Sequence, residues 1–234
     1  MKTLLLRLEG PMQSWGTSSR FTERDTRMEP SKSGVIGLLC AALGKPRHEV
    51  AGDTRWPPLA TLAALRMGVR IDRPGKVGVD FQTAGGGDLG HREYGVAKAD
   101  GGRPESVMSW RYYLQDASFL VGLESEDEGL LSRLQSALRE PMWPLYLGRK
   151  SYVPARPVYL PNGLYEGNLR DAFRNYDPPA ATGDMADQVW LVLDDPSGSG
   201  TEIREDVPLD FARRRFGVRR VLVRPLELSS TTRA

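Results

Sequence analysis

The sequence predicts an α+β fold: a ferredoxin-like, RNA-recognition-like βαββαβ domain with a thumb hairpin insert, followed by a small C-terminal antiparallel β region. Three observations predict it. Apolar runs of strand length alternate with two runs of helical spacing in the order strand, helix, strand, strand, helix, strand, which is the split βαβ pattern. A glycine-rich stretch without apolar periodicity interrupts this order between the second and third strands. Three further short apolar runs follow, near enough to one another to pair. The expected division is therefore residues 1–160 for the main domain, with the insert at about 72–110, and 161–234 for the β region.

The elements follow in chain order. Thr3 to Leu8, closed by Gly10-Pro11, is a buried strand. Residues 11–30 are polar, with Trp15 and Phe21 isolated among Arg, Ser and Thr, and are expected as a long loop. Ser31 caps a helix whose apolar residues Val35, Ile36, Leu38, Leu39, Ala42 and Leu43 recur at helical spacing until Gly44 and Pro46. Leu62 to Ile71 is expected as the second strand. Residues 72–110 carry nine glycines and are expected to protrude as a hairpin. Asp116 to Leu123 resumes the sheet, and Glu126 to Arg139 forms an amphipathic helix through Leu130, Leu131, Leu134 and Leu138, ended by Pro141. Val153 to Leu160 completes the unit. Val189–Leu193, Thr201–Val207 and Val218–Val223 are the later strands.

Composition excludes several classes. The chain has 234 residues, 40% hydrophobic and 26% charged, with a net charge of +2, so a basic surface must come from distribution rather than from the total. Residues 203–224 do concentrate seven Arg against three acids. One cysteine, Cys40, excludes an intramolecular disulfide framework and suits a reducing cytoplasm. No apolar run spans a bilayer and no signal peptide precedes the first strand, so a cytoplasmic protein without a membrane partner is expected.

Four turns carry groups suited to RNA. Gln13, Ser14 and Trp15 follow the first strand; Trp15 could stack on a base, or could cap the sheet as core. Ser31-Lys32-Ser33-Gly34 brings helix-start amides and a lysine to one point, as a phosphate site or as a plain cap. In Trp110-Arg111-Tyr112-Tyr113, strand alternation sends about half of the side chains inward, with Arg111 expected to face solvent. Gly148-Arg149-Lys150-Ser151 sets two cations and a hydroxyl beside a glycine, an anion cradle or a solvated turn. Gly85 to Gly90 matches G-x-G-x-x-G, but neither a preceding Rossmann strand nor a following helix supports a dinucleotide site. Acid–base chemistry has few actors: His48 and His91 stand in no triad, Cys40 sits in an apolar helix, and Asp194-Asp195 is expected as a turn rather than a metal pair. No catalytic residue, cofactor or metal is expected.

These turns resemble the CasD family, of the RAMP superfamily, in type I-E CRISPR Cascade complexes. The segments that carry the likeness are Leu8 to Gly16, Ser33 to Leu39, Trp110 to Phe119, and Tyr146 to Ser151. The resemblance implies a non-catalytic subunit that caps the 5′ handle of the CRISPR RNA. Its neighbours would be the backbone and large subunits, and target DNA would be reached only through the complex, with sequence chosen by base pairing. It further implies handle contacts by Gln13, Ser14 and Trp15, phosphate contacts by Lys32, Ser33 and Gly34, and further RNA contacts by Arg111, Gly148, Arg149, Lys150 and Ser151. Two other readings stay open. One is a metal-independent endoribonuclease acting on precursor RNA, for which Tyr112, Tyr113, Lys150 and His91 are the available groups. The other is a general single-strand binder indifferent to the handle.

Overall fold

The computed structural model describes residues 1–18, 22–50, 52–85, 106–176, 188–200 and 202–227. Its main sheet begins with β1 (Lys2–Glu9), the strand expected from Thr3 to Leu8. Leu4, Leu6 and Leu8 enter one core while Leu5 enters another, which is why β1 is apolar on both faces. Helix α1 (Lys32–Leu43) lies where its periodicity placed it, between an Ser31 N-cap and a left-handed Gly44.

The expected second strand divides. Leu59–Ala64 is a short helix, α2, and the strand β4 runs Arg66–Arg73. Leu59, Leu62 and Leu65 are buried in either case, and so short an apolar run does not separate helix from strand. The segment expected as a loop also contains two two-residue strands, β2 (Met12–Gln13) and β3 (Glu23–Arg24). Both are stitched to the long strand β6 (Val107–Gln115), whose other neighbour is β5 (Lys76–Ala84). The tip of the insert, including Gly86–Gly90 and His91, lies outside the described residues.

The strand expected from Asp116 is β7 (Ser118–Ser125), followed by α3 (Glu128–Arg139) with Asp127 as its cap. The last strand of the expected unit shifts along the chain to β8 (Tyr159–Glu166). Residues 153–157 still run beside β1, with Ala155 N donating to Glu9 O at 2.9 Å, but Pro154 and Pro157 offer no amide for a ladder. Helix α4 (Leu169–Asn175) was not expected.

The C-terminal strands β9 (Gln188–Asp194), β10 (Glu202–Asp210) and β11 (Arg215–Glu227) pair with one another antiparallel, as expected. They do not form a sheet of their own. β9 also pairs with β4, giving one seven-stranded antiparallel sheet in the order β10-β11-β9-β4-β7-β1-β8. Helices α1, α2 and α3 cover one face, and α4 covers the other. Gly68 and Gly122, paired in register, make the seat for α4: a Cβ would come within 2.7 Å of the Phe173 ring at Gly68 and 2.5 Å of Leu169 at Gly122.

Candidate nucleic-acid interface

Three of the four turns meet. Ser14 N donates to Leu147 O at 3.0 Å, and Gly148, at φ +95°, lies so close to Ser14 that a Cβ would sit 1.8 Å from its carbonyl oxygen. Only glycine permits that approach. Gly34 lies against the Trp15 ring, where a Cβ would come within 2.9 Å. Strand β6 joins through Ser14, whose hydroxyl donates to Tyr112 O at 3.3 Å.

The side chains within this junction divide into a sealed set and an open set. Gln13 is wholly buried; its amide donates to Leu8 O at 3.1 Å and Ala117 O at 2.8 Å, and its oxygen accepts from Trp15 Nε1 at 3.2 Å. Trp15 is 2% exposed. The expectation of handle contacts through these two side chains is therefore corrected: they hold the turn together and present nothing outward. Ser14 is buried as well, and its hydroxyl bonds to backbone carbonyls.

Lys32 calls for the same correction. Its Nζ lies 2.9 Å from Asp194 and its backbone N 2.8 Å from Asp206, with the side chain buried. Arg219 bridges the same two carboxylates, meeting Asp206 at 2.6 Å and contacting Asp194. Burial pushes the Asp194 carboxyl up, but Arg219 and Lys32 outweigh it and hold the group below the usual aspartate range. Asp206 and Asp194 thus occupy the point where a phosphate was expected to meet Lys32. Ser33 and Gly34 remain half-buried at the helix start, with Ser33 Oγ 3.5 Å from Ser31 Oγ and Gly34 N bonded to Ser31 Oγ at 3.3 Å.

The open set stands on the 148–151 turn and on β6. Gly148, Lys150 and Ser151 are exposed. Arg149 is fixed by donating to Tyr152 Oη at 2.8 Å and Arg24 O at 3.1 Å, with its guanidinium 5.4 Å from the Tyr152 ring centre. Arg111 is half-buried, donating to Ser109 Oγ at 3.0 Å on the face of the hairpin that also carries Asp80. Trp110 is the more open neighbour at 41% exposure, paired with Phe81 at 5.2 Å between ring centres.

Several contributors were not singled out in the sequence. Exposed Arg24 is held in place by β3 and by the Arg149 bond to its carbonyl. Asp25 organises the 16–18 turn, accepting from Thr17 N, Ser18 N and Ser18 Oγ at 3.4, 3.2 and 2.9 Å. Phe81, an aromatic alternating with valines in Val77-Gly78-Val79-Asp80-Phe81, was detectable by strand period. Asp195 does form a turn, bonding Ser197 and Gly200, and those bonds hold its carboxyl down at about 2.

Comparison with known proteins gives a consistent answer. Residues 3–222 match the family described as CRISPR-associated protein (Cas_Cas5). Over 186 residues the chain is 34% identical to the CRISPR system Cascade subunit CasD of Escherichia coli (strain K12), covering 75% of this chain and 77% of that one. A crystal structure of a Cas protein is similar with a TM-score of 0.71 at 42% identity, over 98% of this chain and 96% of its own. A chain from a CRISPR RNA-guided surveillance complex gives 0.78 at 34% identity, over 98% and 92%.

Proposed function

The chain belongs to the CRISPR-associated Cas5 family, and from that premise we propose that it is a non-catalytic CRISPR RNA-binding subunit that caps the 5′ handle of the guide in a type I-E surveillance complex. The observation that carries this reading is the junction of turns: segments 13–16 and 147–151 are joined by the Ser14–Leu147 backbone bond and by the close approach at Gly148, segment 31–34 packs on them through Gly34 against Trp15, and Gly148, Lys150 and Ser151 are left exposed. A sealed scaffold under an open cationic rim suits an RNA terminus, because phosphates need fixed donors and close backbone approach.

Within that rim, Arg149, Lys150, Ser151 and Gly148 bind the handle backbone, with Ser33, Gly34 and Arg111 beside them. Gln13, Ser14, Trp15 and Lys32 act beneath it as supports. The strands β4, β7, β1 and β8 with α1 and α3 form the ferredoxin-like βαββαβ unit, in the sheet order that such a unit requires. The β5–β6 hairpin is its thumb, with Phe81 and Trp110 available for stacking. The RNA-recognition-like part, expected to end at residue 160, extends to the end of β8 at Glu166, and the C-terminal β region follows it along the chain, while in space both build one sheet. The partners are the backbone and large subunits, with target DNA reached through them. Among the described residues no helix is long and apolar enough to cross a membrane.

Competition binding tests the proposal. Repeat-derived RNA carrying the authentic 5′ end should outcompete a scrambled RNA of equal length by at least about tenfold; equal affinities would reduce the chain to a general single-strand binder. Incubation of precursor RNA in chelator should leave it intact, and cleavage abolished by Tyr112→Phe or Lys150→Ala would make it a nuclease instead.

A further inference from the structure

The face of the sheet turned away from α1 and the guide-binding turns carries a separate cationic cavity. Strand alternation directs Leu191 and Leu193 of β9 and Leu222 and Arg224 of β11 to the α4 side, with Leu193 opposite Leu222 and Leu191 opposite Arg224. Arg66 of β4 and Arg170 of α4 complete a cavity of about 180 Å³. Its described lining holds three arginines and no carboxylate.

These arginines are not spent on the fold to equal degrees. Arg66 donates to Glu124 at 2.9 Å and to the Asp194 carbonyl at 3.3 Å, which fixes its guanidinium at the cavity wall with its side chain still 40% exposed. Arg170 and Arg224 are exposed, and neither has a hydrogen bond or ion pair among the described residues. In a chain that balances 32 basic against 30 acidic residues, two arginines without a carboxylate partner among the described residues, beside an Arg66 already paired with Glu124, concentrate positive potential around one concavity.

We propose that this cavity is a second anion site, built for a phosphate group and independent of the guide-binding turns. Planar guanidinium forks match phosphate oxygens. The floor of Leu169, Leu191, Leu193 and Leu222 lowers the local dielectric and strengthens that attraction. The cavity is smaller than the ~300–1,000 Å³ of most small-molecule sites, so it takes the phosphate group rather than a whole cofactor. That group arrives either in a nucleic-acid backbone or as free phosphate.

The test uses the full-length chain and an Arg170→Glu/Arg224→Glu variant, both substitutions lying on exposed side chains. A labelled oligothymidylate is titrated with and without saturating repeat-derived RNA, and inorganic phosphate is titrated against the arginine side-chain NMR signals. With the RNA bound, the wild type should still take up the oligonucleotide. The variant should do so about tenfold more weakly, with the log–log salt slope smaller by about 1.4 for two lost cations. Its affinity for repeat-derived RNA should stay within about twofold. Phosphate shifting the Arg170 and Arg224 signals without any oligonucleotide binding would support the site and assign it to free phosphate. Should repeat-derived RNA bind neither protein, the guide reading fails while the oligonucleotide comparison still decides the cavity. Equal binding of oligonucleotide and phosphate by both proteins overturns the proposal, as does a parallel loss of repeat-derived RNA, which would place these arginines in the guide site.

Discussion

Two turns with nearly the same chemistry meet opposite fates in this molecule. Ser31-Lys32-Ser33-Gly34 combines glycine and serine with one cation, and Gly148-Arg149-Lys150-Ser151 combines them with two. At the first, the lysine is drawn inward to Asp194, Asp206 seals the helix start, and Trp15 covers the glycine. At the second, the glycine is wedged against Ser14, Lys150 stands exposed, and Arg149 lies half-buried against Tyr152 and the Arg24 carbonyl. The difference lies in what packs opposite each turn: β9 and β10 bring acids to one, and nothing described covers Lys150 at the other. A cationic turn is a ligand site only where the fold leaves its charge uncompensated.

The largest effect should come from the sealed side. Trp15→Ala removes a wholly packed indole and leaves the Gln13 carbonyl unpaired, and should cost about 3–5 kcal/mol of stability in urea unfolding. A cost below about 1 kcal/mol would mean that the turn is not sealed at all.

Next comes Asp194→Ala, which strands Lys32 and Arg219 beside Asp206 alone and frees the Met67 amide. Breaking a buried ion pair in this way should cost about 3 kcal/mol. The pH dependence follows from the lowered Asp194 pKa: its stabilising contribution is full above the ordinary aspartate value of 3.8 and is lost as pH falls through the still lower folded value. Thermal melting below pH 4 should therefore fall more steeply in the wild type than in an Asp194→Asn variant; parallel curves would break the assignment.

The open side should respond in affinity rather than in stability. Lys150→Ala/Ser151→Ala should weaken handle RNA by about tenfold, with the unfolding midpoint nearly unchanged because exposed polar groups contribute little to folding. If that variant unfolds early and binds normally, the two turns have been assigned the wrong way round.

The likeness of the two turns also marks how far the sequence could be read. Helix α1 was legible to its caps, and α3 nearly so, because apolar spacing and Ser31, Asp127 and Gly44 are local signals. The strands β1, β7, β9 and β11 were legible for the same reason. The α2–β4 boundary was not, since its run of leucines is apolar under both periods. Nor were β2 and β3, which are strands only because β6 lies beside them.

The sequence by itself determined the order of β1, α1, β7, α3 and the three C-terminal strands and singled out turns that meet in space, because periodicity, caps and glycines act over a few residues. Only the tertiary structure decided that Gln13, Trp15 and Lys32 face inward while Lys150 faces outward, and that β9 joins the C-terminal strands to β4. Burial and ion pairing depend on partners more than a hundred residues away, such as Asp194 for Lys32 and Ala117 for Gln13. Such contacts leave no mark on the local pattern.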